Sequence, residues 1–129
     1  MPAPDGNEAA RPFLPAKDFE TSKRFYDALG FTRLLEASDV VIFGVGATSF
    51  LLQRYYVPAW AENFMMQLMV DDLDAWWAHI ERLDLAGTFG VTAPKPPAVQ
   101  PWGLRIAYVV DPSGVLWHVA QRRPGERGD

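Results

Sequence analysis

The sequence predicts an α+β fold of two βαβββ modules, each curling into a half-barrel of mixed, largely antiparallel sheet with a helix on its convex side. Three observations carry this. A strand, an acidic cap and an amphipathic helix occur twice, over residues 14–29 and 68–83, with the caps Asp18 and Asp72 54 residues apart. A second echo pairs Gly-Ala-Thr-Ser-Phe-Leu-Leu-Gln, ending at Gln53, with Gly-Val-Leu-Trp-His-Val-Ala-Gln, ending at Gln121, 68 residues later. The difference of 14 matches a Pro-rich loop, residues 90–101, in the second copy. The remaining apolar runs are short and bounded by turn residues, as strands are. Two copies of one small unit commonly enclose a shared cavity.

The first ten residues are polar and Pro-rich and read as a loose arm. Residues 11–16 form a short strand whose prolines, Pro12 and Pro15, confine it to an edge or an irregular start. Asp18 caps the first helix, on which Ser22, Phe25, Tyr26 and Leu29 share one face, and Gly30 stops it. Residues 31–36, 40–45 and 49–55 are three strands separated by turns at Ser38-Asp39 and at residues 44–46. Residues 57–63 cross to the second module, which opens with a strand at 64–70. Asp72 caps a helix that turns Leu73, Trp76, Trp77, Ile80 and Leu83 inward. His79 falls off that stripe and is expected in solvent. A strand is expected near 88–92, followed by the proline loop. The last hairpin, 103–110 and 115–121, turns at Asp111-Pro112-Ser113-Gly114, where Asp opens, Pro presets φ and Gly closes. Residues 122–129 read as a polar tail. The modules are thus expected at about 11–56 and 64–121 of a single domain.

The chain has 129 residues, 49% hydrophobic and 22% charged, enough for one real core. No apolar run approaches the ~20 residues of a spanning helix, so no membrane is expected. The opening residues lack the basic start and apolar stretch of a secretion signal. Cysteine is absent, which excludes disulfides, thiolate metal sites and Cys nucleophiles and fits a cytoplasmic location. A net charge of −4 with scattered basic residues argues against nucleic acid. Five Trp, four Tyr and eight Phe supply either a ring-rich core or the lining of a pocket for a flat ligand.

Residues 14–31, Val70-Asp71-Asp72-Leu73-Asp74 and residues 111–121 together resemble the vicinal oxygen chelate superfamily, which includes glyoxalases, extradiol dioxygenases and the fosfomycin and bleomycin resistance proteins. Gln100-Pro101-Trp102-Gly103-Leu104-Arg105, followed by the 111–114 turn and His118, is most similar to the bleomycin resistance branch. Enzymes of the superfamily hold a divalent metal between the first and last strands of the two copies. Carrying those positions over gives Arg11, Met65, Phe50 and His118. A guanidinium repels a cation, a thioether suits only soft ions, and a benzyl ring does not ligate. A two-residue slip along a strand brings in Gln67, whose amide oxygen can ligate, but no carboxylate. The resemblance therefore implies no catalytic metal and no cofactor, with His118 the one plausible ligand; otherwise His118 is a hydrogen-bonding group of the pocket or a satisfied buried histidine. Asp71, Asp72 and Asp74 are explained by capping.

Alternation groups Met65, Gln67 and Met69, then Trp102, Leu104, Ile106 and Tyr108, then Leu116, His118 and Ala120. With Phe50 and Leu52 from the first copy, an apolar, ring-lined groove with polar tips at Arg11, Gln67, Tyr108 and His118 is expected, and Trp102 would stack on the ligand. The resemblance implies a homodimer, and the apolar run at residues 55–60 either serves it or covers the core. The function expected is non-catalytic binding of a small, drug-like or aromatic molecule. The competing readings are a metal-dependent lyase, isomerase or dioxygenase using His118, and a ligand-free scaffold.

Overall fold

The structure is a computed structural model, described here over residues 2–6 and 9–121; the expected tail at 122–129 lies outside the described residues. The chain runs β1 (Phe13–Pro15), α1 (Phe19–Leu29), β2 (Thr32–Glu36), β3 (Val40–Val45), β4 (Thr48–Gln53), α2 (Pro58–Ala61), β5 (Met65–Val70), α3 (Leu73–Leu83), α4 (Leu85–Phe89), β6 (Lys95–Val99), β7 (Arg105–Val110) and β8 (Leu116–Gln121). Two four-stranded sheets result, ordered β1-β4-β3-β2 and β5-β8-β7-β6. In each the first strand lies parallel to the fourth and the other pairings are antiparallel. The α+β class and the doubled curved sheet are those the sequence predicts.

Both long helices start as their caps dictate. The Asp18 carboxylate accepts from Thr21 N at 3.1 Å and that of Asp72 from Ala75 N at 3.0 Å, satisfying amide groups that an α-helix leaves orphaned. Gly30 ends α1 at φ 99°, a backbone that side chains rarely adopt. One face of each sheet and the apolar stripes of α1 and α3 form one core. Leu14, Val41, Phe43, Phe50 and Leu52 come from the first sheet, and Leu68, Ala107, Val109, Trp117 and Val119 from the second. Tyr26 of α1 is fully buried among Phe31, Phe43, Phe50 and Trp117, with ring centroids 5.0–5.9 Å away.

Two expectations are corrected and one open alternative is narrowed. Residues 88–92 do not form a strand: Asp84 takes a left-handed conformation (φ 47°) and its carboxylate accepts from Gly87 N, which starts the short helix α4. The strand lies later, inside the proline loop, as β6. Pro96 and Pro97 have no amide hydrogen, and β6 accommodates them as an edge strand whose register shifts between Lys95 and Ala98. His79 is not free in solvent. It is half-buried, its Nε2 lies 2.8 Å from the Leu29 carbonyl at the end of α1, and it ties the two long helices together. At residues 55–60, Tyr55 and Trp60 are exposed, so those two rings do not cover the core.

Candidate functional site

Each sheet has a second face that turns away from the helices. On the second sheet the register fixes its membership. β5 and β8 pair Met65 with Leu116, Gln67 with His118 and Met69 with Ala120. β8 and β7 pair His118 with Tyr108, Leu116 with Val110 and Ala120 with Ile106. β7 and β6 pair Tyr108 with Lys95. Because side chains alternate, all of these lie on one side of the sheet. The grouping by alternation survives for Met65, Gln67, Met69, Ile106, Tyr108, Leu116, His118 and Ala120, whereas Trp102 and Leu104 precede β7 and Leu52 is buried in the core; Tyr108 and His118 do meet, edge to face with ring centroids 4.8 Å apart.

An open cleft of about 520 Å³ lies on this face, lined by Met65, Thr92, Ala93, Lys95, Tyr108, Val110, Leu116 and His118. Its lining carries one cation and no carboxylate. The Nε2 of His118 is buried and has no hydrogen-bond partner. Burial pushes the imidazole below its usual pKa, so the ring is neutral near pH 7 and offers a donor or acceptor site to whatever fills the cleft.

Among the other residues singled out from sequence, Gln67 neighbours His118 across the strands but lines an adjoining hollow of about 650 Å³ that also contains Asp71, Asp72 and the β3–β4 turn. Trp102 is 55% exposed and is not part of the cleft lining. Arg11 sits at the other sheet, its Nε donating to Ser49 Oγ at 2.7 Å. Phe50 is fully buried in the core.

The displacement of Phe50 has a simple cause. Aligning the last strands on Gly46 and Gly114 makes Phe50 the counterpart of His118. The β3–β4 loop, however, closes at Val45–Thr48 with two residues, whereas the β7–β8 loop closes at Val110–Leu116 with five, 111–115. The glycines are therefore not equivalent, and the alignment slips by one. A slip of one residue exchanges the faces of a strand. By pairing, Phe13–Leu51 matches Gln67–His118, so Leu51 is the counterpart of His118 and Phe50 that of Trp117.

Thr92, Ala93, Lys95 and Val110 were missed from sequence. Val110 follows from alternation once Tyr108 is placed; the other three come from the segment whose strand was misplaced. Also missed was the environment of Asp111. Only 2% exposed, its carboxylate accepts from Ser113 N at 2.8 Å, Val115 N at 2.9 Å and the Tyr26 hydroxyl at 2.6 Å. Trp117 Nε1 in turn donates to the Tyr26 oxygen at 3.0 Å. Desolvation raises the carboxyl's pKa against the pull of these donors. The turn is thereby fastened to α1, which fixes where β8 presents His118.

The residues around His118 do not fit a divalent ion. Its cross-strand neighbours supply an amide and a phenol, the cleft adds the Met65 thioether, the matching position in the other sheet is Leu51, and among the described residues no group of three His, Asp or Glu gathers anywhere.

The family described as the Glyoxalase/Bleomycin resistance protein/Dioxygenase superfamily matches residues 9–119. The chain belongs to that superfamily. It is 29% identical over 118 residues to a bleomycin resistance protein of Klebsiella pneumoniae, covering 88% of this chain and 92% of the relative. Its fold is similar to that of a bleomycin-binding protein crystallised with bleomycin, with a TM-score of 0.77 and 27% identity, covering 91% of this chain and all of the other. A bleomycin-binding protein from Streptomyces verticillus, crystallised with copper(II)-bleomycin, gives 0.75 and 26%, covering 92% and 98%. No helix among the described residues is long and apolar enough to cross a membrane.

Proposed function

We propose that the chain captures a small organic molecule in the cleft on the open face of the second sheet and holds it without reaction, metal or cofactor, in the cytoplasm. The observation that carries this reading is the unpartnered, buried Nε2 of His118 in a largely apolar cleft beside Tyr108 and Met65. A polar atom left without a partner costs about 1–3 kcal/mol, which a bound ligand recovers. Aromatic and thioether walls favour a flat, polarisable molecule. Burial of ~200 Å² of its apolar surface contributes on the order of 5 kcal/mol before ordering costs. The bleomycin-binding relatives support sequestration as the mode of action.

The working unit of this reading is a homodimer. The open face of the first sheet exposes Phe13 and Leu35, each 54%, an apolar surface suited to closing the partner's cleft. Calorimetric titration with bleomycin and with flat aromatic probes tests the binding. Micromolar heat with at least one, weakened at least tenfold in His118→Leu, is the expected result; no heat from any up to ~100 μM overturns the reading. Elemental analysis of protein purified without chelator is the second check. A stoichiometric divalent ion that disappears in His118→Ala would return the chain to the enzymes of the superfamily.

A further inference from the structure

The polar groups of the open face fall in one line. Gln67 on β5 faces His118 on β8, His118 faces Tyr108 on β7, and Tyr108 faces Lys95 on β6. With neighbouring strands ~4.8 Å apart, these four side chains form a row ~14 Å long straight across the sheet. The flanking rows are apolar: Met65, Leu116 and Val110 on one side, Met69, Ala120 and Ile106 on the other. The row holds an amide, an imidazole, a phenol and an ammonium group. Its only charge is the positive one at Lys95, which pairs with no carboxylate among the described residues. The open face of the first sheet adds no carboxylate: its paired rows are Phe13, Leu51, Ile42 and Leu35, then Ser49, Gly44 and Thr32, with the Arg11 guanidinium on Ser49, then Pro15, Gln53 and Val40.

We infer that the ligand is an elongated, flat aromatic molecule with an acidic group at one end, its polar edge lying along Gln67, His118 and Tyr108 and its anion at Lys95. This rests on the binding reading above and narrows it. In the cleft lining a cationic ligand such as bleomycin meets Lys95 and no carboxylate; Asp71 and Asp72 lie in the hollow at the Gln67 end of the row, opposite the Lys95 end. The chain's net charge of −4 attracts cations only at long range, and that attraction is screened beyond ~8 Å at physiological salt. Against a flexible, solvated ammonium the pairing is modest and decides between otherwise similar ligands.

Three fluorescent probes of one shape separate the outcomes: pyrenebutyrate, its primary amide and pyrenebutylammonium, titrated into the full chain at 150 mM salt. The expected order is acid tighter than amide by about threefold to fivefold, and amide tighter than ammonium. Lys95→Gln is expected to remove the advantage of the acid over the amide, and Lys95→Glu to reverse the order. Lys95 is an exposed edge residue, so both variants are expected to fold, and an unchanged thermal midpoint checks it. Amide or ammonium binding as tightly as the acid overturns this inference and leaves the cleft a binding site. If none of the three binds, the inference fails, and the calorimetric titration with bleomycin and other aromatic probes decides separately whether the cleft is a binding site.

Discussion

The two sheets share one topology and differ in what their open faces carry, most plainly in the central row. On the first sheet the row across β1, β4, β3 and β2 reads Phe13, Leu51, Ile42, Leu35; on the second the equivalent row across β5, β8, β7 and β6 reads Gln67, His118, Tyr108, Lys95. Their other faces are alike, since Phe50 and Trp117 occupy matching core positions with ring centroids 5.6 Å apart. The scaffold was thus doubled while the central row became polar in one copy alone. An all-apolar row suits contact with another surface; a polar row with one orphaned nitrogen suits a ligand.

The sharpest way to break the comparison is at the matched core pair. Phe50→Ala and Trp117→Ala are each expected to lose about 3–5 kcal/mol of unfolding free energy in urea titrations. If Phe50→Ala instead leaves stability intact and weakens ligand binding, Phe50 belongs to the cleft and the pairing drawn above is wrong. Next comes the turn that distinguishes the two hairpins. Asp111→Ala strips the acceptor from Tyr26 and from two amides, and a loss of about 2–4 kcal/mol is expected. Shortening the turn's role to local geometry would predict less than ~1 kcal/mol, so the measured value decides between a turn and a brace.

His118→Leu sharpens the contrast between the rows. It copies the leucine of the first sheet, and stability is expected to change by less than ~1 kcal/mol while ligand affinity falls at least tenfold. The same variant reports on pH. Burial lowers the folded-state pKa of His118 below its ordinary 6.5, so below that value the unfolded chain takes up more protons than the folded one. The neutral ring's contribution is present above pH 6.5 and is lost as the pH falls, and that part of the slope is expected to vanish in His118→Leu. The smallest effect is expected at Trp102, whose exposed ring lies outside the cleft lining; Trp102→Ala should shift stability by less than ~0.5 kcal/mol. A fall in affinity in that variant would show the 100–105 loop covering the ligand.

The sequence by itself determined what depends on local physics. Caps at Asp18 and Asp72, stripes at 3.6-residue spacing and period-2 strands are read over a few neighbours, and they delivered the doubled α+β fold and the face shared by Met65, Gln67, Tyr108 and His118. Tertiary structure decided what depends on partners far along the chain. The difference of a few residues between two hairpin loops moved Phe50 to the core and Leu51 opposite His118. A left-handed Asp84 replaced an expected strand by a helix, so that β6 formed later and brought Lys95 to the row. Asp111 is buried because Tyr26, 85 residues away, donates to it. Propensity and alternation specify how a segment folds; only packing across the whole chain specifies what it faces.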